Sequence, residues 1–180
     1  MMQYILMLLA AAGIVAADQL TKLWVLRDIP LYGNIPVIPG VFSLTYIQNR
    51  GAAWGSFQGM LWLFIAIFVL FTLGLIWEFS KKRMPFRAFE RWCIAIIWAG
   101  GLGNIIDRIR LGFVVDMIKT DFIEFPIFNV ADCFITCGCI ALLLSLLFNR
   151  EFWKDEKKKK QEETEETEEA EETDETEETE

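Results

Sequence analysis

Four stretches of this chain are apolar for long enough to cross a lipid bilayer, and that restricts the fold more than any other feature. A helix needs about 20 mostly apolar residues to span the hydrocarbon core, where each backbone polar group must find its partner within the segment itself. The stretches are residues 4–26, interrupted late by Asp18 and Lys22; 60–77, without a charge; 92–107, short and rich in glycine; and 130–148, with Asp132 near its start. Val15-Ala16-Ala17 has the look of a leader-peptide cleavage site. No Lys or Arg precedes the apolar run, however, and apolar residues resume after Lys22, so 4–26 reads as a retained span.

The net charge of −8 describes the end of the chain and not its body. Residues 162–180 are almost entirely Glu and Thr and hold 13 of the 25 acidic residues, which leaves 12 acids against 17 Lys and Arg before them. A tail of that composition cannot bury enough apolar surface to offset its ordering entropy. Residues 1–154 therefore read as one membrane domain and 155–180 as a disordered tail, a Lys run followed by a Glu/Thr run. Basic residues flanking spans mark the cytoplasmic side. Lys81, Lys82, Arg83, Arg87 and Arg91 lie between spans two and three, and Arg150, Lys154 and Lys157 to Lys160 follow span four. Both termini are thus expected inside, with residues 27–59 and 108–129 outside. The first outer segment alternates Val, Ile, Phe and Tyr with Pro and Gly over 35–47, the pattern of a small sheet or hairpin lying on the membrane.

On that map the unusual polar residues converge on one face: Asp18 and Lys22, Asn49, Arg50 and Gly51, Asn104, Asp107 and Arg108, Asp116, and Asn129 and Asp132. Ionisable groups near hydrocarbon are costly and are usually paired or functional. Asp18 with Lys22, and Asn104 with Arg108, are spaced to share a helix face; each pair could simply satisfy itself, or its cation could reach toward lipid headgroups. Asp116 and Asp132 are separated by fifteen residues that can fold back. Two carboxyl groups brought close cannot both ionise easily. Such a pair can activate a water with its anionic member and protonate a leaving amide nitrogen with the neutral one. The sequence leaves open whether the two side chains meet. The glycines Gly100, Gly101 and Gly103 allow close approach of either a second helix or a ligand chain.

Other chemistries are narrowed by what is missing. The chain has no His, which removes Ser–His and Cys–His catalysis and the usual zinc and iron sites. Its four Cys (Cys93, Cys133, Cys137, Cys139) lie within apolar segments, and the last three are expected as small packing residues on a buried helix. Three rivals stay open: a Ser–Lys peptidase using Lys22 with Ser43 or Ser56, a small proton-coupled transporter with Asp116 and Asp132 as carriers, and an assembly or scaffold subunit that would tolerate loss of both aspartates. Neither a metal nor a cofactor is expected, and nucleic acid is not an expected partner.

The blocks Asp18-Gln19-Leu20-Thr21-Lys22, Asn49-Arg50-Gly51-Ala52-Ala53-Trp54-Gly55, Gly100 to Arg108, Gly112-Phe113-Val114-Val115-Asp116 and Phe128-Asn129-Val130-Ala131-Asp132 occur in that order. Together they resemble the lipoprotein signal peptidases, or signal peptidase II, from the start of the chain to about residue 150. The resemblance implies an all-α membrane protein of four transmembrane helices with a small periplasmic β-rich cradle, placed as a monomer in a bacterial inner membrane. It implies an aspartic endopeptidase that cuts diacylglyceryl-modified prolipoproteins just before the lipidated Cys, among membrane lipids. Carried over position by position, Asp116 and Asp132 are the catalytic dyad. Asn49, Gly51, Asn104, Asp107, Arg108, Asn129 and Ala131 line or support the site, and Asp18 and Lys22 buttress it. Trp54 and Met117 depart from the family's more familiar residues and bear on substrate preference.

Overall fold

The computed structural model describes residues 2–51, 56–81 and 86–148. The Glu/Thr tail, Trp54 and the basic pair Lys82 and Arg83 lie outside the described residues. Four helices form, α1 (Met2–Asp28), α2 (Leu61–Lys81), α3 (Ala88–Leu111) and α4 (Val130–Phe148), with three strands between them, β1 (Asn34–Ile38), β2 (Phe42–Asn49) and β3 (Val114–Thr120). All four helices are long and apolar enough to cross a membrane. At 1.5 Å of rise per residue even α4, with 19 residues, is about 28 Å long. The third helix exceeds its expected span of 92–107 at both ends, because Glu90 and Arg91 and then Arg108 and Arg110 continue the helix beyond its apolar stretch.

Local chemistry sets where the helices stop. Pro30 disfavours helical backbone at Ile29, and α1 ends at Asp28. Gly112 closes α3 in the left-handed conformation (φ 78°), its N–H donating to the Arg108 carbonyl at 3.1 Å. The N-terminus of α4 is capped by Asn129, whose side-chain oxygen accepts from the Asp132 N–H.

Helix α3 is the centre of the bundle, with 44% of its apolar window buried against 17% for α1, 11% for α4 and none for α2. Glycine is what lets α4 come so close to it. A Cβ on Gly100 would lie 2.7 Å from the Ala131 carbonyl, and one on Gly138 would lie 2.8 Å from the Ile97 side chain. Gly101 faces Phe68 of α2. Of the two uses open to these glycines, helix packing is the one the fold makes of them.

The strands form one antiparallel sheet in the order β1-β2-β3. The 35–47 region makes the expected hairpin. The stretch 108–129, expected only to fold back as a loop, contributes the third strand. Side chains alternate across β3. Val115 and Met117 join Val25, Ile29 and Tyr46 in a buried apolar cluster beneath the sheet, so Asp116 and Val114 face the other way. Met117 accordingly sits in the core, away from the cavity that Asp116 lines. After β3 the chain bridges back, with the Phe128 N–H donating to the Ile118 carbonyl at 3.1 Å and its own carbonyl accepting from Ile118 at 2.8 Å. Asn129 and the start of α4 are thereby held beside β3.

Candidate active site

A cavity of about 570 Å³ opens where the sheet meets the helices, and Asp116 and Asp132 both line it. Asn49, Gly51, Asn104 and Arg108 supply its other polar wall, and Phe64, Val114, Phe125, Phe128 and Thr136 much of the rest. Gly100, Gly101 and Gly103 do not line it, since neighbouring helices cover them.

Asn129 joins the two carboxylates. Its Nδ2 donates to Asp116 Oδ1 at 2.7 Å, its backbone N–H donates to Asp132 Oδ2 at 3.1 Å, and its Oδ1 accepts from the Asp132 N–H at 3.0 Å. The last two bonds are a reciprocal cap on the first turn of α4. Asp116 is 1% exposed, and its second oxygen accepts from Asn49 Nδ2 at 2.9 Å. Burial first, and then the negative charge of Asp132, push its pKa up to about 7, against the opposing pull of the Asn49 and Asn129 hydrogen bonds and of Lys22. One carboxyl of the two is therefore built to keep a proton near neutrality.

Asn104 orders the second acid. Its Nδ2 donates to Asp132 Oδ1 at 2.8 Å, while its Oδ1 accepts from Asn129 Nδ2 at 3.0 Å and from Lys22 Nζ at 2.8 Å. Lys22 is thus the base of the network. It is 2% exposed and also bonds Asp18 at 2.9 Å and Asp107 at 3.1 Å, so the expected pair on α1 is a triad that ties α1 to α3. Asp18 spends its other oxygen on the Ala131 N–H at 3.0 Å, an otherwise unmet donor in the first turn of α4. Asp107 accepts from the Val115 N–H at 3.1 Å, fixing β3 next to Asp116. A buried cation with two carboxylates and an amide oxygen around it is fully satisfied, as such a group must be. Asn49 does for its loop what Asn129 does for α4: its Oδ1 accepts from the Gly51 N–H at 2.9 Å. Arg108 donates to the Gly51 carbonyl at 2.9 Å, and its guanidinium stacks 4.4 Å from the Phe64 ring centre on α2. Gly51 itself is confined, since a Cβ there would collide with the Ser56 carbonyl.

The eleven residues assigned to the dyad or its support meet at this end of the bundle, whereas Arg50, the other polar residue singled out, is exposed. One was missed. Gln19 Nε2 donates to Asp107 Oδ1 at 3.0 Å, to the Gly103 carbonyl at 3.1 Å and to Asp18 at 3.2 Å, closing the triad from the side. The only available hint was its place inside the Asp18–Lys22 block.

One expectation needs correction, and one rival reading loses its geometry. Cys137 and Cys139 are exposed and Cys133 half-buried, because α4 turns most of its surface outward, and Cys133 and Cys137 line the cavity. Only Cys93 is a buried packing residue. Lys22 is not placed as a base for serine either. Ser43 donates to Asp121, Ser80 to the Ile76 carbonyl and Ser145 to Glu90, and Lys22 bonds none of the described serines. Among the described residues no group of His, Cys, Asp and Glu could hold a metal.

Comparison with known proteins gives the arrangement its context. Residues 10–148 match the family model described as Signal peptidase (SPase) II. The chain is 41% identical to the lipoprotein signal peptidase of Streptococcus pyogenes serotype M6 over 151 residues, covering 84% of this chain and 95% of that one. It is 42% identical to the lipoprotein signal peptidase of Lactococcus lactis subsp. lactis over 148 residues, 81% and 95% of the two. Among solved structures, a bacterial membrane enzyme at 35% identity superimposes with a TM-score of 0.72 over 78% of this chain and 87% of its own.

Proposed function

The chain belongs to the signal peptidase II family, and from that premise we propose that it is a membrane aspartic endopeptidase. It removes signal peptides from diacylglyceryl-modified prolipoproteins, cutting just before the lipidated Cys. The observation that carries this reading is the single residue, Asn129, whose side-chain amide bonds the Asp116 carboxylate and whose backbone N–H bonds that of Asp132, with both acids on the wall of one cavity.

The chemistry follows from two acids sharing one proton. The anionic member takes a proton from a water as that water's oxygen attacks the scissile carbonyl carbon. The other member gives its proton to the amide nitrogen as the C–N bond breaks, yielding a carboxylic acid and an amine. The products leave the pair with one proton again. Asn49, Asn104 and Asn129 donate to the carboxylates and set the direction of their lone pairs, and the Lys22 triad fixes Asn104 in turn. The mostly apolar remainder of the wall lowers the local dielectric and so sharpens the difference between the two acids.

The substrate enters sideways from the bilayer and leaves its acyl chains among lipid tails. Contacts far from the scissile bond then position the peptide. Basic residues flanking the other end of the bundle support a cavity at the outer face with both termini in the cytoplasm, and the family resemblance supports a monomer.

The test is incubation of the purified chain in detergent with a lipidated prolipoprotein, reading release of the signal peptide. Asp116→Asn and Asp132→Asn are each expected to lower turnover by at least about 10³-fold while the protein still folds and inserts. Normal turnover by either variant refutes the dyad. Cleavage without any ion gradient also separates this reading from a proton-coupled transporter.

A further inference from the structure

At the opposite end of the bundle from the carboxylates lies a second concavity, about 560 Å³, between the first turns of α1, the last turns of α2 and the first turns of α3. Its walls are apolar, with Met7, Leu75, Ile76 and Ile94 among them, and its floor is Thr72 with Trp98. The polar groups of that floor are met: Trp98 Nε1 donates to Thr72 Oγ1 at 3.0 Å, and Thr72 donates to the Phe68 carbonyl at 2.8 Å. The mouth is different. Tyr4, Ser80 and Arg91 line it. Among the described residues, two buried side-chain nitrogens lack an acceptor, Arg91 Nε and Gln3 Nε2. Both are donors, and both lie within the first turns of helices that wall the groove. A buried donor without an acceptor is costly, and an arginine is best answered by an oxyanion that takes two of its N–H groups.

We propose that this groove binds an anionic membrane phospholipid, one acyl chain along the Leu75–Ile94 wall and its phosphate on Arg91. Helical rise puts Arg91 about 10 Å from Trp98 along α3, so a chain seated there lies along two turns of apolar wall. Charge favours an anion. Between residues 78 and 91 the chain carries five Lys and Arg against Glu78 and Glu90. Both oxygens of Glu90 are engaged, one accepting from the Arg87 N–H at 2.7 Å and the other from Ser145 Oγ at 3.0 Å. A groove that is only apolar would take any lipid tail; the Arg91 guanidinium, with its Nε unmet, is what selects the headgroup. The site lies in the leaflet opposite the carboxylates and is independent of the peptidase reading.

The experiment is native mass spectrometry and thermal melting of the full chain in detergent, titrated with phosphatidylglycerol, phosphatidylcholine and diacylglycerol of identical acyl chains. Phosphatidylglycerol is expected to bind most tightly and diacylglycerol least. Arg91→Gln should weaken phosphatidylglycerol by about tenfold or more, and Arg91→Lys should restore part of the loss. Ala95→Phe, which fills the groove beside Ile94, should weaken all three lipids and serves as the test should Arg91→Gln fail to accumulate. Asp116→Asn should change none of them. Equal retention of the three lipids, unchanged phosphatidylglycerol binding in Arg91→Gln or in Ala95→Phe, or loss of binding in Asp116→Asn overturns the proposal.

Discussion

Asn129 and Asp132 cap the first turn of α4 for one another, each backbone N–H donating to the other's side chain at 3.1 and 3.0 Å. The arrangement leaves the Asn129 amide nitrogen free to hold Asp116 and Asn104. A local helix-starting device thus also sets the spacing of the two acids.

Asn129→Ala removes both functions at once. Loss of the cap alone is expected to destabilise by about 1 kcal/mol, and the donors withdrawn from buried Asp116 and Asn104 add about 1–3 kcal/mol. Melting in detergent should fall accordingly. Peptide cleavage should drop more steeply than stability, because the carboxylates lose their common support.

The proton on Asp116 gives a pH dependence with a definite sign. Its pKa lies at about 7 in the folded protein, well above the ordinary carboxylate value of about 3.9. Between those values the folded state binds the extra proton, so this group's stabilising contribution is complete below about pH 4 and is lost as pH rises toward 7. Cleavage should fall above about pH 7 as the pair loses its last proton. Because the Asn129 amide favours the ionised form, Asn129→Ala should move that alkaline limb upward, as a profile of kcat/KM against pH would show.

Lys22→Met keeps the side chain's bulk and removes its charge. Asp18 and Asp107 would then be buried without their cation. Such a break is expected to cost about 3–5 kcal/mol. The melting temperature should drop sharply, whereas an exposed pair such as Arg27 with Asp28 should lose little on the same treatment.

Gly103→Ala tests the helix contact. A Cβ there would stand 2.5 Å from Asp18 Oδ2 and 3.5 Å from the Ala131 Cβ. Relief requires Asp18 to leave either Lys22 or the Ala131 N–H, at about 1–3 kcal/mol. Gly13→Ala, with nothing within 4 Å, is the control and should melt like the parent.

Much of the architecture is legible in the residues because membranes leave so few options. Apolar length gave the four spans, and Pro and Gly marked the β1–β2 hairpin. The polar residues could be gathered at one end because the spans alternate direction. What escaped has physical reasons. Strand β3 pairs with β2 from about 70 residues away, and Val114-Val115-Asp116-Met117 has no clean alternation of polar and apolar residues to betray it. Gln19 carries no charge and was hidden between Asp18 and Lys22, yet its reach to Asp107 crosses 88 residues. The cysteines of α4 were misplaced because lipid tails and a protein core are equally apolar. Composition alone could not say which of them Cys137 and Cys139 would face.

The pleat of β3 works as a ruler for the chemistry. Neighbouring side chains point to opposite faces, so a slip of one residue against β2 would turn Asp116 into the apolar cluster and present Met117 to the cavity. Everything that pins that strand, from the Val115 N–H on Asp107 to the Phe128 bridge, therefore guards which side chain faces the cavity. Mutations there could silence the enzyme without touching an acid.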